Sequence, residues 1–494
     1  MKQTQIFRPL AFLLALLLTP LFLSGCQKKC PTPAKNIPGT AEFRSDCPYS
    51  GSSPTGSREL DFYFVYDNTD DYREQIQAFQ SANPGLIVRP KKFANIDEYR
   101  DLVTQELADG EGPDVFMIHN TWVPLFQKRL LPLPASQPKV MNADLFRQTF
   151  FPAASDDLLL DDQIYGMPLS IDNLAIYYNK KYFKDLIATT DKPAELWEGI
   201  KEQVFALTKR NNSPERFSLA GIALGRADNI SSAIDILYAL MIQHGAVFYD
   251  DKEESATFAR ASGASATGQT NPGADALTLL TSFALPSYKN YSWNDTITGF
   301  APEEKEVGPF ARGKVAMIVG YPYLYNTIVQ SIQNQQRAGS PAMSIEDIGI
   351  APFPQLVSTN EGLKRDAYAS YYPLVVARTS NMQQDAWNFV QFLTSADALQ
   401  TYHKKTHRPT SRRDMVQEQS TEPLFGVFAY QASFAKSLKI YDDAAYYKVF
   451  YDAIQAVVHN TLTPEEALTE AQTKITCFVK KRKGLVSTDT DCGI

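Results

Sequence analysis

The chain has 494 residues, with 48 basic and 55 acidic side chains, a formal charge of −7, and 12% aromatic residues that include 25 tyrosines. That length supplies roughly two to three domains, each large enough for its own core. A mildly acidic balance with no Lys/Arg stripe or basic arm excludes the electrostatic footprint of a nucleic-acid-binding protein.

Lys2 and Arg8 precede an apolar run, Leu10–Leu23. The run is short of the ~20 residues a membrane span needs, so residues 1–25 read as a secretory signal peptide, with a transmembrane helix as the alternative. The ending Leu23-Ser24-Gly25-Cys26 resembles the bacterial lipobox. It implies cleavage before Cys26 and acylation of that cysteine, and hence an extracytoplasmic protein anchored to a bacterial membrane. Residues 26–58 are rich in Pro, Gly and Ser and read as a flexible tether. Beyond Cys26 stand Cys30, Cys47, Cys477 and Cys492. In an oxidising compartment proximity favours Cys30–Cys47 and Cys477–Cys492, with free thiols as the alternative. Their spacing matches no metal-ligand pattern.

The folded body begins at Glu59. Leu60–Tyr66 is β-rich and ends at Asp67-Asn68-Thr69-Asp70. Thr69 or Asp70 can cap a helix carrying Tyr72, Ile76 and Phe79 on one face. Asn83-Pro84-Gly85 stops it before a strand at Leu86–Val88. Asp97 can cap a second helix striped by Tyr99, Leu102, Val103 and Leu107, and Asp114–Ile118 reads as a buried strand. This β-α-β-α-β order predicts a parallel sheet whose ligand loops follow the strand carboxyl ends, at Asp67-Asn68 and His119-Asn120-Thr121-Trp122. Further strands are expected at Leu174–Tyr178, Lys314–Val319, Ile348–Ala351 and Tyr371–Ala377. Ser255–Asp275 reads as a surface loop or insertion, and Asp385–Thr401 as a helix with a broad apolar face. The last helix opens at Thr463-Pro464-Glu465-Glu466, with Thr463 as its cap.

Six stretches carry a family resemblance: Gly112-Pro113-Asp114-Val115, Tyr165-Gly166-Met167-Pro168-Leu169-Ser170, Tyr177-Tyr178-Asn179-Lys180, Phe310-Ala311-Arg312-Gly313-Lys314-Val315-Ala316-Met317, Ala386-Trp387-Asn388-Phe389 and Thr463-Pro464-Glu465-Glu466-Ala467-Leu468. In this order the chain resembles the solute-binding proteins of ABC importers, in the carbohydrate-binding group of the maltose-binding type. The resemblance implies an α/β, two-lobed periplasmic-binding-protein-like fold with a discontinuous N-lobe and C-lobe joined by a hinge. Residues 59–170 and 371–405 would form the N-lobe and residues 171–370 and 406–479 the C-lobe, with crossings near Ser170, Tyr368 and Arg408 and a tail at 480–494. It implies a monomer that captures a sugar or oligosaccharide between its lobes and delivers it to importer permease subunits. Carried over position by position, the ligand-binding residues would be Asp67, Asn68, Asn120, Trp122, Asp172, Tyr321, Tyr323, Tyr371, Tyr372 and Arg413. The family places a tryptophan where this chain has Tyr321-Pro322-Tyr323, a departure that bears on sugar size and register.

Chemistry supports a sugar independently, since Asp and Asn match vicinal hydroxyls and aromatic faces pack on the C–H faces of a pyranose. Each assignment has a plainer alternative. Asp67 can cap the next helix, Trp122 can be core like Trp293 and Trp387, Asp172 can stabilise a crossover turn, and Arg413 can orient the hinge. At most one ring of each pair, Tyr321/Tyr323 and Tyr371/Tyr372, should face the ligand. A surface hydrolase is the rival class. Asp156-Asp157 and Asp161-Asp162 are adjacent acids that point apart, whereas glycosidase carboxyls face each other across a bond. No G-x-S-x-G or H-E-x-x-H occurs, and His403 and His407 lack the glutamate of a zinc motif. No catalytic residue, metal or cofactor is therefore expected. The remaining alternatives are a non-sugar solute such as a polyamine, iron, phosphate or a peptide, and a same-fold sensor or adhesin.

Overall fold

A computed structural model describes residues 58–134, 141–187, 190–211, 216–265, 268–297, 304–356 and 365–494. The signal peptide, Cys26, Cys30 and Cys47 lie outside the described residues. The fold is built from two α/β lobes, each with its own apolar core.

The first lobe starts at strand β1 (Arg58–Val65), where Leu60, Phe62 and Phe64 are fully buried while Asp61 and Tyr63 lie between them on the other face. This period-two alternation selects the strand. Asn68, rather than Thr69 or Asp70, is the N-cap of helix α1 (Thr69–Ala82). It forms a capping box with Asp71, because the chain enters the helix one residue earlier than the apolar spacing suggested. Strand β2 (Leu86–Phe93) runs parallel to β1 from Arg58 opposite Leu86 to Val65 opposite Phe93. Helix α2 (Ile96–Ala108) is capped by Asn95, whose side chain accepts from the Asp97 and Glu98 amides; Asp97 sits inside the first turn. Strand β3 (Val115–Met117) is parallel to β1 on its other edge. The sheet is completed by Pro373–Val376 and then Met167–Pro168, both added antiparallel. Gly166 is required at this seam, since a Cβ there would meet the Leu374 carbonyl oxygen at 2.9 Å.

The second lobe centres on a three-stranded sheet in which Ala175–Asn179 lies between Met317–Gly320 and Ile348–Pro352, antiparallel to both. Helices Trp197–Leu207, Ala233–His244, Pro272–Thr281, Leu324–Arg337, Asp443–Val458 and Pro464–Arg482 supply much of the rest of its core. Ala233–His244 is buried almost all round, as its nearly continuous apolar sequence requires. Trp293 and Trp387 are both fully buried, one in each core.

The chain passes between cores near Asp172, near Tyr368 and repeatedly beyond Arg408, where Ala432 and Ala435 return to the first core before Ile440 joins the second. Ile171 belongs to the first core and Leu174 to the second; Ala367 and Ala369 pack in the first while Tyr368 packs in the second. Asn173 and Ala369 are bridged, which ties the first two crossings together. After Arg408 the chain straddles the boundary: Met415 and Val416 pack on the first core, Phe425 and Phe428 on the second.

Two expectations fail on the fold itself. Asp385–Thr401 is not one helix, because the chain breaks at Thr394-Ser395 into Gln383–Leu393 and Ala396–Thr406. Ser395 caps the second piece through the Ala398 amide. Ser255–Asp275 is not wholly a surface loop either. Ala256 and Phe258 are buried at 1% exposure, and helix Pro272–Thr281 opens inside the segment. Its small-residue composition masked two anchoring apolar positions. Cys477 and Cys492 form a disulfide with a Cα separation of 5.6 Å, stapling the C-terminal residues to the last helix. Among the described residues no helix is long and apolar enough to cross a membrane.

Candidate functional site

Strand ends and helix starts from both lobes converge on a cavity of about 320 Å³. From the first lobe come Tyr66 at the end of β1, and His119 and Thr121 in the loop after β3. Ser370 and Tyr372 line it from the second crossing, and Asp172 and Arg408 from the other two. From the second lobe come Asp235 and Tyr238 on helix Ala233–His244, Tyr321 and Tyr323 beyond strand Met317–Gly320, and Asp443 and Tyr447 on helix Asp443–Val458. This is where a cleft between two packed lobes concentrates ligand chemistry.

Arg408 organises the floor. Its guanidinium is 11% exposed and bonds Asp172, while its Nη2 lies 3.1 Å from Asp67 Oδ1. Asp67 also accepts from the Tyr72 hydroxyl and, at 2.8 Å, from the Tyr402 hydroxyl. Burial raises the Asp172 carboxyl above its usual range, with Arg408 opposing. Asp172 Oδ1 is buried and accepts no well-formed hydrogen bond from the protein.

On one wall the Tyr321 hydroxyl donates to Asp235 Oδ2 at 2.8 Å, and burial pushes Asp235 up to about 6. Tyr321 and Tyr323 stack with centroids 5.8 Å apart and planes at 19°. The Tyr177 hydroxyl holds this turn by donating to the Tyr321 carbonyl at 2.8 Å. Opposite stands Tyr372, edge-on to His119 at 5.0 Å and to Tyr66 at 5.1 Å. Tyr66 has φ of +66°, a left-handed conformation costly for an aromatic residue, and its ring is 52% exposed at the lip.

Asp443 spans the cleft. It opens helix Asp443–Val458 in the second lobe and accepts from the Thr121 hydroxyl at 2.6 Å and from the Trp122 indole in the first. With Thr121 donating to Asp443, His119 Nδ1 donates to the Thr121 oxygen at 2.6 Å and Nε2 accepts from Ser370 Oγ at 2.9 Å. Burial lowers the His119 pKa, with Asp443 opposing, so the imidazole is neutral near pH 7.

The residues singled out from sequence separate into three groups. Asp172, Tyr321, Tyr323 and Tyr372 line the cavity. Both Tyr321 and Tyr323 do so, against the expectation of one, because they lie in a turn rather than on an alternating strand; Tyr372 alone faces in from its pair. Asp67, Asn120, Trp122 and Tyr371 stand behind the wall. Asn120 Nδ2 donates to Asp157 at 3.0 Å and the Tyr371 hydroxyl donates to the same carboxylate at 2.8 Å. Asp157 also accepts from Ser437 at 2.6 Å, and burial drives it up to about 6. Asn68 and Arg413 are away from the cavity. Asn68 caps α1 and accepts from Lys92 Nζ, and exposed Arg413 donates to the Phe150 carbonyl at 2.8 Å. His403 bonds the Leu169 carbonyl and His407 stacks on Phe425 at 4.6 Å, so the two rings do not converge. Among the described residues no cluster of His, Cys, Asp or Glu is arranged to hold a metal ion.

Sequence reasoning did not single out Asp235, Tyr238, Asp443 or Tyr447 as ligand residues. For Asp235 a signal was present: one carboxylate within the apolar run Ala233–Ile242. Such a charge is stranded unless it faces a polar space.

A family model described as bacterial extracellular solute-binding protein matches residues 66–400. A binding protein of Brucella abortus is 21% identical over 420 residues, covering 84% of this chain and 91% of the relative. A maltotriose-binding protein of Pyrococcus abyssi is 23% identical over 325 residues, 65% of this chain and 60% of the relative. Among solved structures, the sugar-binding protein MalE of Xanthomonas citri aligns with a TM-score of 0.66 at 18% identity, covering 88% of this chain and all of that one. The GacH receptor of Streptomyces glaucescens, solved unliganded and with acarbose, aligns at 0.63 and 18% identity over 88% of this chain and all of its own.

Proposed function

This chain belongs to the bacterial extracellular solute-binding protein family, and from that premise we propose that it captures a sugar or short oligosaccharide between its lobes for delivery to an ABC importer. One observation carries the reading: tyrosine rings and carboxylates drawn from both lobes line one cleft. Rings supply faces for the C–H surfaces of a pyranose, and Asp172, Asp235, Thr121 and Ser370 supply partners for its hydroxyls. Structural neighbours that are sugar-binding proteins, one of them complexed with maltotetraose, support the same class of ligand. The lobes are assigned as 59–170 with 371–405, and 171–370 with 406–479. Arg413 and Asn68 play no part in this assignment. Cys26, as a lipid-bearing residue, would hold the body outside the membrane through its tether, and the protein would work as a monomer without catalysis.

A ligand that binds only the folded state raises stability by RT ln(1 + [L]/Kd). The full chain is expected to melt higher in the presence of a sugar than with amino acids, phosphate or iron in a thermal-shift panel. A shift with one of those solutes and none with any sugar rejects the reading.

A further inference from the structure

We propose, resting on the sugar reading above, that the solute bears a protonated amine: it is an amino sugar of one or two rings whose ammonium sits among Asp172, Asp235 and Asp443. Charge is the first argument. Three carboxylates line the cavity, and among the described residues the lining cation, Arg408, is already shared between Asp172 and Asp67. His119 lies 3.8 Å from Asp443, but its burial keeps it uncharged. The cleft therefore holds a surplus of negative charge in a partly dehydrated space. Hydroxyls of a neutral sugar can bond carboxylates but leave that surplus in place; an ammonium cancels it.

The second argument is Asp172. The residue is only 4% exposed and lines the cavity, yet its Oδ1 accepts no well-formed hydrogen bond from the protein, with the Ser170 hydroxyl only a minor influence on the carboxyl. A buried carboxylate oxygen without a well-placed donor is rare in a folded protein and calls for one from a ligand. The third is aromatic. The stacked Tyr321/Tyr323 pair, with Tyr238 and Tyr372 also lining the cavity, presents rings beside the carboxylates, and aromatic faces attract ammonium groups. Two further observations favour a sugar over a linear polyamine. The Tyr321 and Tyr323 rings lie within 19° of parallel and offer a face to a pyranose, and the Thr121 and Ser370 hydroxyls that line the cavity suit ring hydroxyls rather than methylene groups. The cavity of about 320 Å³ is at the small end of ordinary ligand sites, which restricts the occupant to a short saccharide.

The test is calorimetric titration of the full chain with glucosamine, its β-1,4 disaccharide, glucose, N-acetylglucosamine and putrescine at neutral pH and low salt. N-acetylation keeps the ring and removes the charge, so the pair isolates the ammonium. Glucosamine is expected to bind roughly tenfold or more tightly than glucose or N-acetylglucosamine, and the disaccharide at least as tightly as glucosamine. Asp235→Asn should bring that ratio close to one. The variant should melt no lower than the parent when empty, because Asp235 is already pushed up to about 6 by burial and its charge is unfavourable there. Neutral sugars binding as tightly as amino sugars overturn the charge assignment while leaving the sugar reading intact. Putrescine binding with no response to any sugar overturns both. Retention of the amino-sugar preference by a folded Asp235→Asn protein also overturns the proposal.

Discussion

Arg408 carries more of this site than any other side chain, since two buried carboxylates depend on it. Removing one partner from a buried ion pair typically costs about 3–5 kcal/mol, because the charge left behind has lost both water and its counter-ion. Arg408→Ala is therefore expected to lower unfolding free energy by about that amount in denaturant titration at neutral pH. Acidification should recover part of the loss, as protonating Asp172, whose carboxyl burial already raises, removes one of the unpaired charges. Asp235 gives a separate pH signature in the parent protein. Its folded pKa of about 6 lies above the ordinary 3.8, so the folded state binds the extra proton. Its contribution to stability is present at acid pH and is lost as pH rises from about 4 to about 6. The groups that weigh on it are Tyr321, which donates to it, and Asp443, whose charge opposes its own. Asp235→Asn should flatten that segment of the melting-temperature profile. An unchanged slope would show that the carboxyl is not perturbed. Asp172 was legible in sequence because it adjoins a crossing. Arg408 was visible as part of the third crossing but not as the partner of two acids more than two hundred residues away.

At the scale of elements, the last helix shows how far local chemistry reaches. Thr463 accepts from the Glu466 amide, Glu466 reaches back to the Thr463 amide, and Pro464 occupies the first turn. All of this is written in four consecutive residues. Thr463→Ala should cost about 1 kcal/mol, measured by chemical unfolding, with little change in ligand affinity. The disulfide at the end of the same helix closes a 15-residue separation. Closing a loop of that length contributes up to about 3 kcal/mol in the chain-entropy account. Cys477→Ala with Cys492→Ala should lower stability by no more than that and let tryptic cleavage at the already exposed Lys483 release the C-terminal peptide, detected by mass. The helix break at Thr394-Ser395 was less legible. Its apolar stripe continues across the break, and only the side chain of Ser395, bonding the Ala398 amide, marks a new start.

For the whole molecule, the two cores are separate but the cleft is not empty of contacts. Asp443 reaches from the second lobe to Thr121 and Trp122 in the first, so its carboxylate bridges the two lobes. Asp443→Ala removes both acceptors while leaving each core intact. The empty variant should be more expanded than the empty parent by small-angle scattering, and a saturating ligand should restore a common, smaller radius of gyration. Equal radii for the two empty proteins would show that this contact does not hold the lobes. A melting temperature far below the parent would assign Asp443 to the packing of its own lobe instead.

By itself the sequence determined the parallel β-α-β-α-β opening; through a family resemblance it implied the two-lobed α/β architecture, and by proximity it favoured the Cys477–Cys492 pairing over free thiols, a choice the structure settled. Each rests on short-range patterns or on motifs in a set order: alternation in Leu60–Phe64, turn residues at Asn83-Pro84-Gly85, and two cysteines close in the chain. Tertiary structure alone decided which polar side chains meet. Asp235 and Asp443 lie on different helices, Arg408 joins Asp67 to Asp172 across three crossings, and Tyr323 faces the cavity because a turn cancels strand alternation. Such meetings depend on where lobes and crossings place distant residues, and no periodicity of 2 or 3.6 records that. Asn68 and Arg413 show the converse: each stands near the site in sequence, but Asn68 is engaged in capping α1 and by Lys92, and Arg413 by the distant Phe150 carbonyl.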